Sequence, residues 1–102
     1  VQNRSSSLRI NVCRDGVAAT VTVGGELDLA NAPHLTECLL TVAQTQPERL
    51  VLDLGGLVFV DVAGARALDQ VHKALKAQCP VILRRPRPSA RKALHLAGPA
   101  AD

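Results

Sequence analysis

The segment Leu50-Val51-Leu52-Asp53-Leu54 constrains this chain more than any other. It is short and almost wholly apolar, so it reads as a strand buried on both faces in the middle of a sheet. The core around it must be aliphatic, because Phe59 is the only aromatic residue in the 102-residue sequence. A core of Val, Leu, Ile and Ala suits a layer of strands under helices. A chain of this length fits one domain and can bury a real, if modest, core. The sequence therefore predicts a single domain over residues 1–102, with residues 1–7 expected to be flexible.

The flanking patterns supply the other elements. Leu8 to Cys13 alternates, with Leu8, Ile10 and Val12 on one side, which predicts a half-buried strand. Arg14-Asp15-Gly16 predicts a tight turn, and Val17 to Val23 alternates again, so the two runs form a hairpin. Gly24-Gly25 ends or bends that second strand. Asn31 is the expected N-cap of a first helix, with Pro33 tolerated in its first turn. Leu35, Cys38, Leu39 and Val42 follow the spacing of one helix face. After Leu54, Gly55-Gly56 reads as a loop that lets the chain turn, and Leu57 to Val60 leads out of the strand. Asp61 caps a second helix, whose inner face is Leu68, Val71, His72 and Leu75. Val81-Ile82-Leu83 predicts another short buried strand. A last helix starts at Pro88 and Ser89, with Leu94 and Ala97 facing in and Gly98 and Pro99 as stop signals. The order β-β-α-β-α-β-α predicts an α/β fold with a mixed sheet and right-handed crossovers.

Composition narrows the functional classes. Hydrophobic residues make up 47% and charged residues 21%, which excludes a disordered chain. No run is long and apolar enough to insert in a membrane, and Val1 to Ser7 has no signal-peptide core, so a cytoplasmic location is expected. The chain contains no Met, so a processed or trimmed chain with a segment upstream of Val1 is expected. Cys13, Cys38 and Cys79 are odd in number and widely spaced, which argues against a disulfide framework or a metal site. Reduced thiols are the simpler reading, and a redox pair of Cys13 and Cys79 is the sharper one. Residues 71–102 hold seven basic residues and one acidic residue. Without aromatic stacking platforms this basic third does not read as a nucleic-acid binder; a solvated face or an acidic protein partner fits better.

No catalytic constellation can be assembled, so the chain is not expected to be an enzyme. His34, His72 and His95 form no HxxxH or HExxH pair, and each reads as a surface or boundary residue. There is no GxSxG elbow, Walker loop or GxGxxG run, and no cofactor is implied. What remains is the turn Asp61-Val62-Ala63-Gly64 after an apolar segment. Backbone amides at a helix start are free to donate, and a glycine there admits a close neighbour. The turn is a docking point on one reading. On the other, Asp61 merely caps the helix and Gly64 relieves crowding.

Gly25-Glu26-Leu27-Asp28, and Leu52-Asp53-Leu54 through Phe59-Val60-Asp61-Val62-Ala63-Gly64, resemble the two signature stretches of STAS domains. These are the anti-sigma-factor antagonists and their relatives. The resemblance runs from about Leu8 to Gly98 and includes the element order. It implies a partner, an anti-sigma factor of the ATPase-kinase type, and so a role in transcription regulation. It puts Glu26 and Asp28, in the loop before the first helix, on the same contact face as Asp61, Val62, Ala63 and Gly64. In the family, a serine or threonine directly after the Asp is phosphorylated, and the phosphate prevents binding. Here that position is Val62, followed by Ala63, so the family switch cannot operate there. The resemblance also covers STAS subunits of lipid-transport ABC complexes, and a homodimer is compatible with it. A reading from another class makes Asp53 the phospho-acceptor of a response-regulator receiver. The hairpin after the first strand argues against it.

Overall fold

The computed structural model describes residues 7–95. The elements are β1 (Leu8–Asp15), β2 (Ala18–Leu27), α1 (Ala32–Gln44), β3 (Arg49–Val60), α2 (Val62–Lys76), β4 (Val81–Arg84) and α3 (Pro88–Ala93). They form an α/β fold in the order β-β-α-β-α-β-α. The four strands lie in one sheet, β1-β2-β3-β4. β1 and β2 are antiparallel, while β2, β3 and β4 are parallel. The hairpin closes between Asp15 and Ala18, so β1 runs two residues past Cys13 and β2 starts one residue after Val17. Gly16, at φ +60°, takes the first loop position, where a side chain would be strained.

Two successive crossovers stepping the same way, β2 to β3 and β3 to β4, place α1 and α2 on one face if both are right-handed. The core confirms that placement. Val21, Val23, Leu50, Leu52 and Leu54 are fully buried and join Leu35, Leu39, Leu68 and Leu75 in one cluster. Ala90, Ala93 and Leu94 bring α3 into the same cluster. Among the described residues no helix packs on the opposite face of the sheet.

Several expectations need correction. β3 does not stop at Leu54: it continues through Gly55-Gly56 to Val60, and two register shifts relative to β2 each absorb an extra residue along that stretch. β2 likewise runs through Gly24-Gly25 to Leu27. Glycine is usually a breaker, but here its missing side chain is what the sheet uses: a Cβ on Gly56 would lie 3.2 Å from the Gly24 Cα. β4 is an edge strand with alternate residues exposed, not a buried one. Val12 falls on the core side of β1 but is 50% exposed, because the helices do not reach that edge. His72 is buried rather than peripheral, and His95 lies beyond α3. Ala97, Gly98 and Pro99 fall outside the described residues.

Candidate functional site

The parallel strands β2 and β3 end side by side, and each feeds a helix. Leu27 pairs with Val60, and the Asp61 amide donates to the Leu27 carbonyl at 3.0 Å. Asp61 then caps α2. One carboxylate oxygen accepts from the Gly64 amide at 2.7 Å, and the other accepts from the Leu29 amide at 3.3 Å. One side chain thus starts one helix and ties down the loop leading to the other. Gly64 is buried, and a Cβ there would lie 2.7 Å from the Leu27 carbonyl oxygen. The crowding reading of Gly64 therefore describes its position: it lets α2 press against the end of β2.

The loop before α1 is built as tightly. The Asp28 carboxylate accepts from the Ala30 and Asn31 amides at 2.9 and 3.1 Å. Asn31 holds the N-cap position but does not cap with its side chain. That side chain is fully buried and turned back, accepting from the Asp28 amide and donating to the Glu26 carbonyl. Asp28 is thus engaged in shaping the loop. Glu26 lies at the end of β2 rather than in the loop, exposed and paired in register with Phe59.

These bonds leave apolar side chains facing outward. Val62 and Leu29 are each 73% exposed, the highest values among the large apolar residues described, and they flank Asp61 on either side. Phe59 is half exposed at the end of β3. A groove of about 680 Å³ runs between α1 and α2, with Leu29, Pro33, Leu40, Ala63 and Ala67 in its walls. A second, of about 490 Å³, lies between α2 and α3 and is edged by Val62, Arg66, Asp69 and Lys92. Val62 stands beside one groove and Ala63 in the wall of the other. Sequence reasoning singled out the turn but did not foresee that Leu29 and Phe59 would be exposed beside it. The only signal for Leu29 was a large apolar residue between a loop aspartate and a helix N-cap.

Asp53 sits inside β3, with seven strand residues still to follow, and is 5% exposed. Both its oxygens are engaged, by the Gly55 amide and by Arg85, each at 2.9 Å. Burial pushes its pKa up, but the Arg85 and Gly55 hydrogen bonds and the charges of Arg85 and Arg84 outweigh it and hold the carboxyl below its ordinary value. A receiver needs an accessible strand-end carboxylate, and Asp53 is not one. Among the described residues no group of acidic, Cys or His side chains could hold a metal. Cys13 is exposed on the outer strand β1, whereas Cys79 precedes β4 at the opposite edge. Cys38, on α1, has its thiol pKa raised by burial and by the nearby charge of Glu37. No helix among the described residues is long and apolar enough to cross a membrane.

The family model described as the STAS domain matches residues 9–101. Two curated relatives, the anti-sigma-F factor antagonist RsfB from two Mycobacterium tuberculosis strains, are 32% identical over 62 residues. That alignment covers 61% of this chain and 51% of each relative, so the match spans about half the length of those proteins. A solved anti-sigma factor antagonist from Mycobacterium paratuberculosis superposes with a TM-score of 0.75 at 26% identity, covering 96% of this chain and 83% of that one. The phosphorylated Bacillus cell fate determinant SpoIIAA superposes with a TM-score of 0.66 at 19% identity, covering 89% and 83%, a likeness of fold.

Proposed function

The chain belongs to the STAS domain family, and on that footing we propose that it is an anti-sigma-factor antagonist that binds its partner through the rim around Asp61. The observation that carries this reading is the exposed apolar pair Leu29 and Val62, held rigidly on either side of a capped helix start. A preorganised apolar centre with charged residues around it is what a transient protein interface requires. Glu26 and Arg66 are exposed charged residues near that rim. Asp61, Ala63 and Gly64 set its shape; Val62 and Leu29 make the contact. The protein acts by binding rather than by catalysis, and its place of action is the cytoplasm, where sigma factors work.

The position after Asp61 bears an isopropyl group instead of a hydroxyl, so no kinase can phosphorylate it. A dianion there would stand beside the Asp61 carboxylate and meet both repulsion and desolvation in an interface. With Val62 the surface stays permanently in the unmodified, binding-competent form. Titration calorimetry against the purified anti-sigma factor of the same genome tests this. Val62→Asp and Leu29→Ala should each weaken binding at least roughly tenfold, a change of about 1.4 kcal/mol. Wild-type affinity in both variants would remove this rim from the interface. Binding to a transporter ATPase in place of the anti-sigma factor would reassign the domain to an ABC complex.

A further inference from the structure

The sheet face turned away from the helices carries an unusual concentration of arginine. Arg9 lies beside Gly24 in the β1–β2 register, and Arg84 lies beside Asp53 in the β3–β4 register. Arg85 follows β4 and reaches back to Asp53 and Gly55; Arg87 donates to the Gly55 carbonyl at 3.3 Å. All four are exposed. Among the described residues Asp53 is the one carboxylate bonded to the group, and both its oxygens are already used. Among the described residues neither Arg9 nor Arg84 has a hydrogen-bond or ion-pair partner.

The floor beneath them is glycine. An ideal Cβ on Gly24 would lie 2.7 Å from a terminal nitrogen of Arg9, and one on Gly55 would lie 2.9 Å from the Arg85 Nε. The end of the Arg9 side chain and the Arg85 guanidinium therefore lie over the backbone of the neighbouring strands β2 and β3. Cations brought onto neighbouring strands favour an anion placed between them. Arg85 is held here by a backbone at φ +54°, the left-handed region that a non-glycine residue adopts only when its surroundings impose it. Gly55 is five residues before the end of β3, roughly 16 Å along the strand from the Asp61 turn.

We propose that this face is a binding site for a phosphate group, gripped by Arg9 and Arg85 over Gly24 and Gly55, with Arg84 and Arg87 completing the positive field. The guanidinium fork matches phosphate oxygens in paired hydrogen bonds, and several forks at one point suit a multiply charged anion over a single carboxylate. The site is separate from the rim around Asp61 and does not depend on the partner proposed there.

The probe is inorganic pyrophosphate, titrated into the full chain at fixed ionic strength and followed by ¹⁵N NMR. Saturable shifts should appear at the Gly24, Gly55 and Gly56 amides and at the Arg9 and Arg85 Nε signals. Acetate should give none. Arg9→Gln, on an exposed side chain, should weaken binding roughly tenfold, as loss of a charge-assisted pair of hydrogen bonds does. Gly24→Ala should do the same while keeping the fold, because its methyl group crowds the mobile end of Arg9 and makes only an ordinary contact, 3.5 Å, with the Gly56 carbonyl oxygen. Flotation with phosphatidylglycerol vesicles separates the sources of the phosphate. Arg9-dependent flotation identifies a lipid headgroup, and pyrophosphate binding without flotation identifies a soluble phosphate. Shifts that fail to saturate, or unchanged affinity in Arg9→Gln, together with no Arg9-dependent flotation, would overturn the site.

Discussion

At the scale of single residues, the turn shows how one position can serve packing while a near neighbour faces solvent. Gly64 faces inward and Val62 faces outward, two residues apart on the first turn of α2. In an unhindered helix, Gly→Ala gains about 1 kcal/mol in propensity. Here the new methyl group would sit 2.7 Å from the Leu27 carbonyl oxygen, which is backbone and cannot swing aside. Overpacking of that kind costs roughly 1–3 kcal/mol, so the clash wins. Gly64→Ala should lower the unfolding free energy by about 1–2 kcal/mol in urea titration, and a gain would show that α2 can shift freely. Asp61→Ala should cost a similar ~1–2 kcal/mol, since it removes both the cap and the Leu29 tie. Val62→Ser should leave stability nearly unchanged but restore a hydroxyl at the family's acceptor position. With the anti-sigma-factor kinase proposed as its partner and ATP, mass spectrometry should then find one phosphoryl group on that variant and none on the wild type. A phosphorylated wild type would place the acceptor elsewhere.

At the scale of elements, the sequence was legible where periodicity and burial agree. The inner stripe of α2 (Leu68, Val71, His72 and Leu75) is buried as its spacing predicts, and Asp61 caps that helix. The strands were legible in kind but not in length. Gly55-Gly56 reads as a loop because glycine normally weakens a strand; here Arg85 and the Gly24 backbone occupy the space where side chains would be. No local pattern reveals a contact made from thirty residues away. Leu29 and Phe59 escaped for a related reason. Apolar residues are assigned inward by default, and an outward one is recognised only once its neighbours' hydrogen bonds fix the loop. The α2 stripe also sets a pH response. Burial lowers the His72 pKa below its ordinary 6.5, Lys76 lowers it further, and Asp69 opposes them. The folded state thus favours neutral imidazole. Its contribution is complete above the ordinary value and is lost as pH falls below it, because the unfolded chain takes up the proton first. Melting temperature should therefore drop as pH falls from about 6.5 toward 5, and His72→Gln should flatten that slope. The carboxyl of Asp53, also lowered, adds a second loss only near and below its ordinary value of 3.8. A wild-type slope retained in His72→Gln would assign the transition to another group.

At the scale of the whole molecule, the controlling fact is that the described residues form two layers and not three. The smallest dimension is 19 Å, which accommodates one sheet with one helical layer. The helices share a single core with one face of the sheet, and among the described residues nothing covers the opposite face or the edge strands. That architecture was implied by the aliphatic sequence, but which chemistry would occupy the open face was not, because Arg9 and Arg85 are far apart in the chain. The same geometry decides the fate of the thiols. Cys13 is on β1 and Cys79 lies beside β4, so three strand spacings, roughly 14 Å, separate them across the sheet. A disulfide requires Cα atoms within about 7 Å, so the two cannot join within one folded chain. Cys13 is the exposed thiol, whereas Cys38 and Cys79 are partly covered and Cys38 is further suppressed by its raised pKa. Oxidation of the native protein should therefore link one chain to another through Cys13. Treatment with diamide should yield a dimer on a non-reducing gel that disappears in Cys13→Ser and persists in Cys79→Ser. Peptide mapping should find no Cys13–Cys79 bridge within a monomer. Finding that bridge in the folded protein would require the sheet to come apart between β1 and β4, and would refute the strand order on which both open edges rest.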